Sequence, residues 1–298
     1  MSATTPKQVL EYSVERVLGR GLLGEVYLAK DYDGIMRAVK VVNERHGVRL
    51  KSAVLFVHQI VDENLGQYLA VEFDHNLGHC FVMDYLEVRS ASPESLEKTL
   101  SREFLEMAAT IAEKLDLAHQ KSILHGNIKT SNLLLRRAGP GRLQPILNDF
   151  GIGYVWDERT PFAGLIQHGM AYMAPERIQA LVTHPDDEDA REGSLTPASD
   201  LYSLTCVIVE ALSGQQVFRK TDTVEGKLQE KAESRYLLLN INYPIRQVEI
   251  ERLNAFIERN LSVDPQARIQ DGKTYAQELR SCLAAVPQHV ELLQSVGL

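Results

Sequence analysis

The chain is poor in features that mark several protein classes. Its 298 residues hold only three cysteines, Cys80, Cys206 and Cys282, far apart in sequence. Neither a disulfide framework nor a zinc knuckle is therefore expected. Positive charge is also short: 32 Lys and Arg stand against 40 Asp and Glu, a net charge of −8 and a pI near 5.6. That balance argues against a nucleic-acid partner or an anionic membrane surface. No run approaches the roughly 18 apolar residues of a membrane span. The opening "MSATTPKQVL" has no apolar leader core. Direct membrane insertion is thus not expected, and a cytoplasmic location is. No repeat or heptad pattern occurs. What is left is an ordinary globular balance, 44% hydrophobic and 24% charged, with length enough for a sizeable core or two lobes.

The first 90 residues alternate like short strands. "GEVYLAKDY" and "IMRAVKVV" meet at Asp33-Gly34, a strong hairpin signal. "QYLAVEFD" and "HCFVMDYLE" also read as strands. Ahead of these two, Leu50, Val54, Val57 and Val61 recur at helical spacing, predicting one amphipathic helix. Beyond residue 92 the pattern turns helical, with Ser92-Pro93-Glu94 as a helix start. Phe104, Ala108, Ile111, Leu115 and Ala118 form one stripe, and "SDLYSLTCVIVEALSG" is a buried helix ending at Gly214. "NLLLRRAGPGRLQPILNDFG" is a hairpin candidate. "HPDDEDAREG" (184–193) holds five acids in ten residues and reads as a solvated loop, or else as an acidic docking element or a self-blocking flap.

Several motifs carry chemistry. Gly19, Gly21 and Gly24 lie between two strands, with Val26 two residues on. Glycine clusters are usually turns, but this placement disfavours a dinucleotide fold and favours a hairpin closing over phosphates. Lys40 follows inside an apolar strand, as a phosphate ligand or an edge lysine. "LHGNIKTSNLLL" sets His125, Asn127, Lys129 and Asn132 in the spacing of a phosphoryl-transfer loop.

In this order and spacing the motifs resemble the protein kinase family, the Ser/Thr (Hanks-type) kind, over nearly the whole chain. The resemblance implies an α+β, bilobal fold. A small β-rich N-lobe with one helix would span 1–86, and a larger, mainly helical C-lobe 87–298. ATP with Mg2+ or Mn2+ would be the cofactors. Gly19, Gly21, Gly24, Val26, Ala38 and Lys40 would meet the nucleotide from above. Met83 would be the gatekeeper, Asp84 and Leu86 the hinge, and Leu134 the floor under the adenine. Asn132 and Asp149, the latter in "NDFG", would hold metal, and Lys129 would stabilise the moving phosphate. His125, Phe150, Glu176, Asp200 and Arg268 would be structural, with Glu176 of "APE" paired to Arg268.

The departures from the family pattern matter as much. Asn127 stands where the family has the Asp that accepts a proton, and a general base is worth about 10²–10⁴ in rate. Gly126 replaces an Arg that, in many kinases, receives an activation-loop phosphate, so Thr160 has no evident receiver. The family's Thr in "GT-x-x-Y" falls on Gly169. The helix acid that should pair with Lys40 falls near Ala53, yet Arg45 through Val61 contains no Asp or Glu. Lys40 is then expected to lean on Asp149. Glu176 and Asp200 lie 24 positions apart, about twice the family's expectation. Together these features give a pseudokinase: a domain that binds ATP and metal but transfers phosphate poorly or not at all, regulating or scaffolding a protein partner, a regulated kinase or substrate. An atypical active Ser/Thr kinase and a nucleotide-independent scaffold are the alternatives.

Overall fold

Strand alternation builds the first layer. β1 Gln8–Val9, β2 Tyr12–Gly21, β3 Gly24–Lys30, β4 Met36–Val42, β5 Tyr68–Asp74 and β6 Gly78–Asp84 form one sheet, ordered β1-β2-β3-β4-β6-β5. Every pairing is antiparallel. This computed structural model describes residues 5–21, 24–42, 62–90, 101–140, 142–150, 169–184, 187–218, 223–233 and 247–283. The expected helix through Leu50, Val54, Val57 and Val61, the Ala53 position, the Ser92-Pro93-Glu94 start and Thr160 lie outside them.

Between β3 and β4 the Asp31 carboxylate accepts from the N–H groups of Asp33 and Ile35 at 3.1 and 2.8 Å. Gly34 supplies the left-handed step at φ 79. Register then decides what faces the helical lobe. Ala38 pairs with Met83 and Lys40 with Phe81, while Tyr68 pairs with Met83 from the other side. Directly opposed residues point to one face, so Ala38, Lys40, Phe81, Met83 and Tyr68 share it.

The second layer is helical: α1 Ser101–His119, α2 Pro175–Thr183, α3 Glu188–Gly193, α4 Pro197–Ser213, α5 Val224–Glu233, α6 Gln247–Asn260 and α7 Gly272–Leu283. A small sheet of β7 Val88–Ser90, β8 Leu133–Gly139 and β9 Arg142–Leu147 adjoins it. The α1 stripe Phe104, Ala108, Ile111, Leu115 and Ala118 is fully buried. α4 starts in a capping box between Thr196 and Ser199 and stops at Gly214, φ 71. It is buried nearly all round, in one core with α1, α6 and α7. From Asp187 on, the acidic segment is not a plain loop. Asp187 accepts from the Ala190 N–H at 2.9 Å and caps α3, whose end is tied to α2 through Arg177 and Ser194 at 3.1 Å.

Candidate active site

A cleft of about 570 Å³ opens between the layers. Gly19, Val26 and Ala38 line it from the sheet, Met83, Asp84 and Leu86 from the end of β6 and beyond, and Leu134, Asn132 and Asp149 from below. Leu18 and Ile146 line it too; neither carries a polar group that sequence reading could single out. Gly21 pairs with Gly24 at the hairpin mouth. A Cβ on Gly24 would meet the Val41 carbonyl oxygen at 1.8 Å, so strand packing alone demands that glycine. Around Gly19 a Cβ would meet nothing within 4 Å.

The loop between α1 and β8 is hung from Asp200 in the first turn of α4. Its carboxylate accepts from the N–H groups of His125 and Gly126, both at 2.8 Å, and meets His119 Nε2 at 3.0 Å. Burial pushes the Asp200 carboxyl up, but these donors outweigh it and hold it below the ordinary carboxylate range. Gly126 takes φ 69 to present its N–H. His125 Nδ1 accepts from the Asn127 N–H at 3.1 Å, so Nε2 donates to the Asn148 carbonyl at 2.8 Å. Both bonds suit a neutral ring, and burial lowers the imidazole pKa in the same sense. The Phe150 ring, fully buried, lies 4.5 Å from that imidazole.

Lys40 Nζ donates to Asp149 Oδ1 at 2.8 Å. Asp149 sits at φ 65, a strained setting for any residue but glycine, though Asp and Asn tolerate it best. Burial raises its carboxyl pKa, but the charge and hydrogen bond of Lys40, helped by Lys129, pull it below the usual value. Burial pushes the Lys129 ammonium down, and the Asp149 charge works against that. Asn132 Nδ2 donates to the Asn127 carbonyl at 2.9 Å. The amide's donor end is thus committed to the loop, and its oxygen is the group left for a cation. Asn127 itself is buried. Below the cleft both Glu176 oxygens accept from Arg268, each at 2.8 Å, and that guanidinium lies 4.7 Å from the Tyr202 ring centroid.

Three features gave no sequence signal. The Thr130 hydroxyl meets the Tyr172 hydroxyl at 3.0 Å, and Tyr172 donates onward to Glu210. This tie joins the loop to the segment around Gly169, where the family's hydroxyl is missing. Lys231 on α5 is buried, donates to the Ala171 carbonyl at 2.9 Å and lies 3.5 Å from the Phe218 centroid. Tyr68 is 3% exposed, yet its hydroxyl has no hydrogen-bond partner among the described residues. A buried group left unpaired typically costs about 1–3 kcal/mol.

Residues 12–280 match the family described as protein kinase domain. Serine/threonine-protein kinase PknJ of Mycobacterium tuberculosis is 30% identical over 218 residues, 70% of this chain and 34% of PknJ. Cold-responsive protein kinase 1 of Arabidopsis thaliana is 27% identical over 221 residues, 69% of this chain and 52% of that protein. The chain thus spans about a third of PknJ and half of the plant relative. The crystal structure of the Mycobacterium tuberculosis PknI kinase domain, a double mutant, superposes with a TM-score of 0.63 at 18% identity, over 95% of this chain and 100% of that one; it speaks for the fold. With residues 12–280 covered by the family and a β-rich and a helical lobe meeting at the cleft, the chain belongs to the Hanks-type protein kinase family.

Proposed function

We propose that the chain binds ATP with Mg2+ or Mn2+ and transfers phosphate poorly or not at all, regulating or scaffolding a protein partner in the cytoplasm. One contrast in the cleft supports this most. Lys40 reaches Asp149 and Asn132 is fixed on the loop backbone, while position 127 offers an amide without useful basicity. The groups suited to holding phosphate and metal converge; the proton acceptor does not. The donor set fits such a cation. Among the described residues no cluster of three His, Cys, Asp or Glu exists to cage a metal. Mg2+ needs none, since it takes one or two protein oxygens and completes its shell with phosphates and water. Asp149 and Asn132 would supply those oxygens, and Lys40 and Lys129 would face the phosphates. When bound, the metal would neutralise charge between phosphates.

The alternative of an atypical active kinase is favoured by one observation: Phe150 on His125 and Glu176 on Arg268 form an ordered frame, and phosphoryl transfer depends chiefly on positioning and charge. A melting curve with millimolar ATP, with and without metal, separates binding from mere scaffolding. At ligand 100-fold above Kd the stabilisation is about 2.7 kcal/mol, and Lys40→Met and Asp149→Ala should each shrink the shift. No shift in wild type with either metal would leave the nucleotide-independent scaffold.

A further inference from the structure

Among the described residues, Tyr68 carries a buried hydroxyl on the cleft face of β5 and β6 that no hydrogen-bond partner engages. Its strand register places it opposite Met83, on the face that carries Lys40. Its ring packs edge-on against Phe81, centroids 5.6 Å apart, and Phe81 is the strand partner of Lys40. The side chain is 3% exposed and the hydroxyl is unpaired among the described residues. Lys40, on the same face, reaches Asp149, and burial first and the Asp149 charge second push the phenol pKa up. A phenylalanine would fill the same volume without burying a polar atom. A buried hydroxyl left unpaired requires a physical reason, and a second state in which it is used is one such reason.

The nucleotide reading supplies that second state, and this inference rests on it. Lys40 now donates to Asp149 Oδ1; with ATP bound, its ammonium turns toward the phosphates. The sequence from Arg45 to Val61 holds no Asp or Glu that could steady the pair. We propose that Tyr68 is a positioning residue: its hydroxyl donates to the Asp149 carboxylate when Lys40 engages phosphate, holding Asp149 in place for metal. A phenol that reaches a carboxylate is a suitable donor, because a hydrogen bond to a charged acceptor is about twice as strong as a neutral one.

The test is Tyr68→Phe, which keeps the ring and its contact with Phe81. Without ligand, the variant should melt at the same temperature as wild type or a few degrees higher. Its Kd for ATP with Mg2+, measured by titration calorimetry, should rise about tenfold, while its Kd for ATP in EDTA stays within about twofold. In the Asp149→Ala background the same substitution should change the Kd little, as expected of groups that act together. A merely structural tyrosine would lower the melting temperature and leave the metal-dependent part of binding alone. If wild type binds ATP with metal and Tyr68→Phe binds it equally well, the positioning role is overturned while the nucleotide reading stands. If wild type binds no nucleotide with either metal, both fall.

Discussion

Gly126 presents its N–H to Asp200, 74 residues away, and pays with φ 69. An L side chain at such an angle is disfavoured by roughly 1–2 kcal/mol. Gly126→Ala should destabilise the chain by that amount in chemical denaturation; an unchanged midpoint would show that the angle is not held. Lys231 is the second case. Burial pushes its ammonium down to about 7, against Glu230 and Glu176, which favour the charge, and with Lys227, which does not. A depressed lysine pKa means that the unfolded chain binds the extra proton above about pH 7, so stability rises with pH there. Wild type should therefore gain on Lys231→Met between about pH 7 and pH 9. A gap that narrows or stays flat over that range contradicts the burial argument. Neither residue is legible in sequence. Gly126 shows there only as a missing Arg, and Lys231 as one more lysine in a polar stretch. Lys40, Asn132 and Asp149 are legible, because their spacing is local and their chemistry is narrow.

At the scale of elements, β3, β4 and their turn follow from alternation and from Asp33-Gly34, since both are short-range signals. The α1 stripe and the Gly214 stop are equally local. The partner of each strand is another matter. β5 carries an irregularity between Tyr68 and Ala70, and a one-residue slip there would turn Tyr68 to the opposite face. No count along the sequence fixes it. The acidic segment shows the converse. Its composition reads as solvated, and Asp187, Asp189 and Glu192 are exposed, yet a cap and the Arg177–Ser194 contact make a short helix of it. The triple change Asp187→Asn, Asp189→Asn, Glu192→Gln should leave stability within about 0.5 kcal/mol of wild type, as exposed charges usually do. Ser194→Ala should cost about 1 kcal/mol through Arg177. A thermal melt of both variants checks the contrast, and a large loss in the triple change would make the segment part of the fold. If the segment docks a basic partner, that binding should weaken with salt.

At the scale of the molecule, two layers meet over a cleft that Lys40 and Asp149 span from opposite sides. The frame around it is complete among the described residues: Asp200 under the loop, Phe150 on His125, Arg268 on Glu176. The bilobal fold was legible from motif order, because each motif serves the same cleft. The question left to chemistry is whether such a frame works without a carboxylate at 127. Phosphate incorporation, into the chain itself and into a generic basic substrate, decides it most directly, with wild type beside Asn127→Asp and Asp149→Ala. Wild type should not exceed Asp149→Ala. Asn127→Asp should recover far less than the roughly 10²–10⁴ that a general base supplies, because Gly169 offers no hydroxyl partner and groups acting as a unit are not mended singly. Incorporation by wild type clearly above Asp149→Ala, or a hundredfold rise in Asn127→Asp, would contradict the reading of a nucleotide-holding domain whose transfer chemistry is lost.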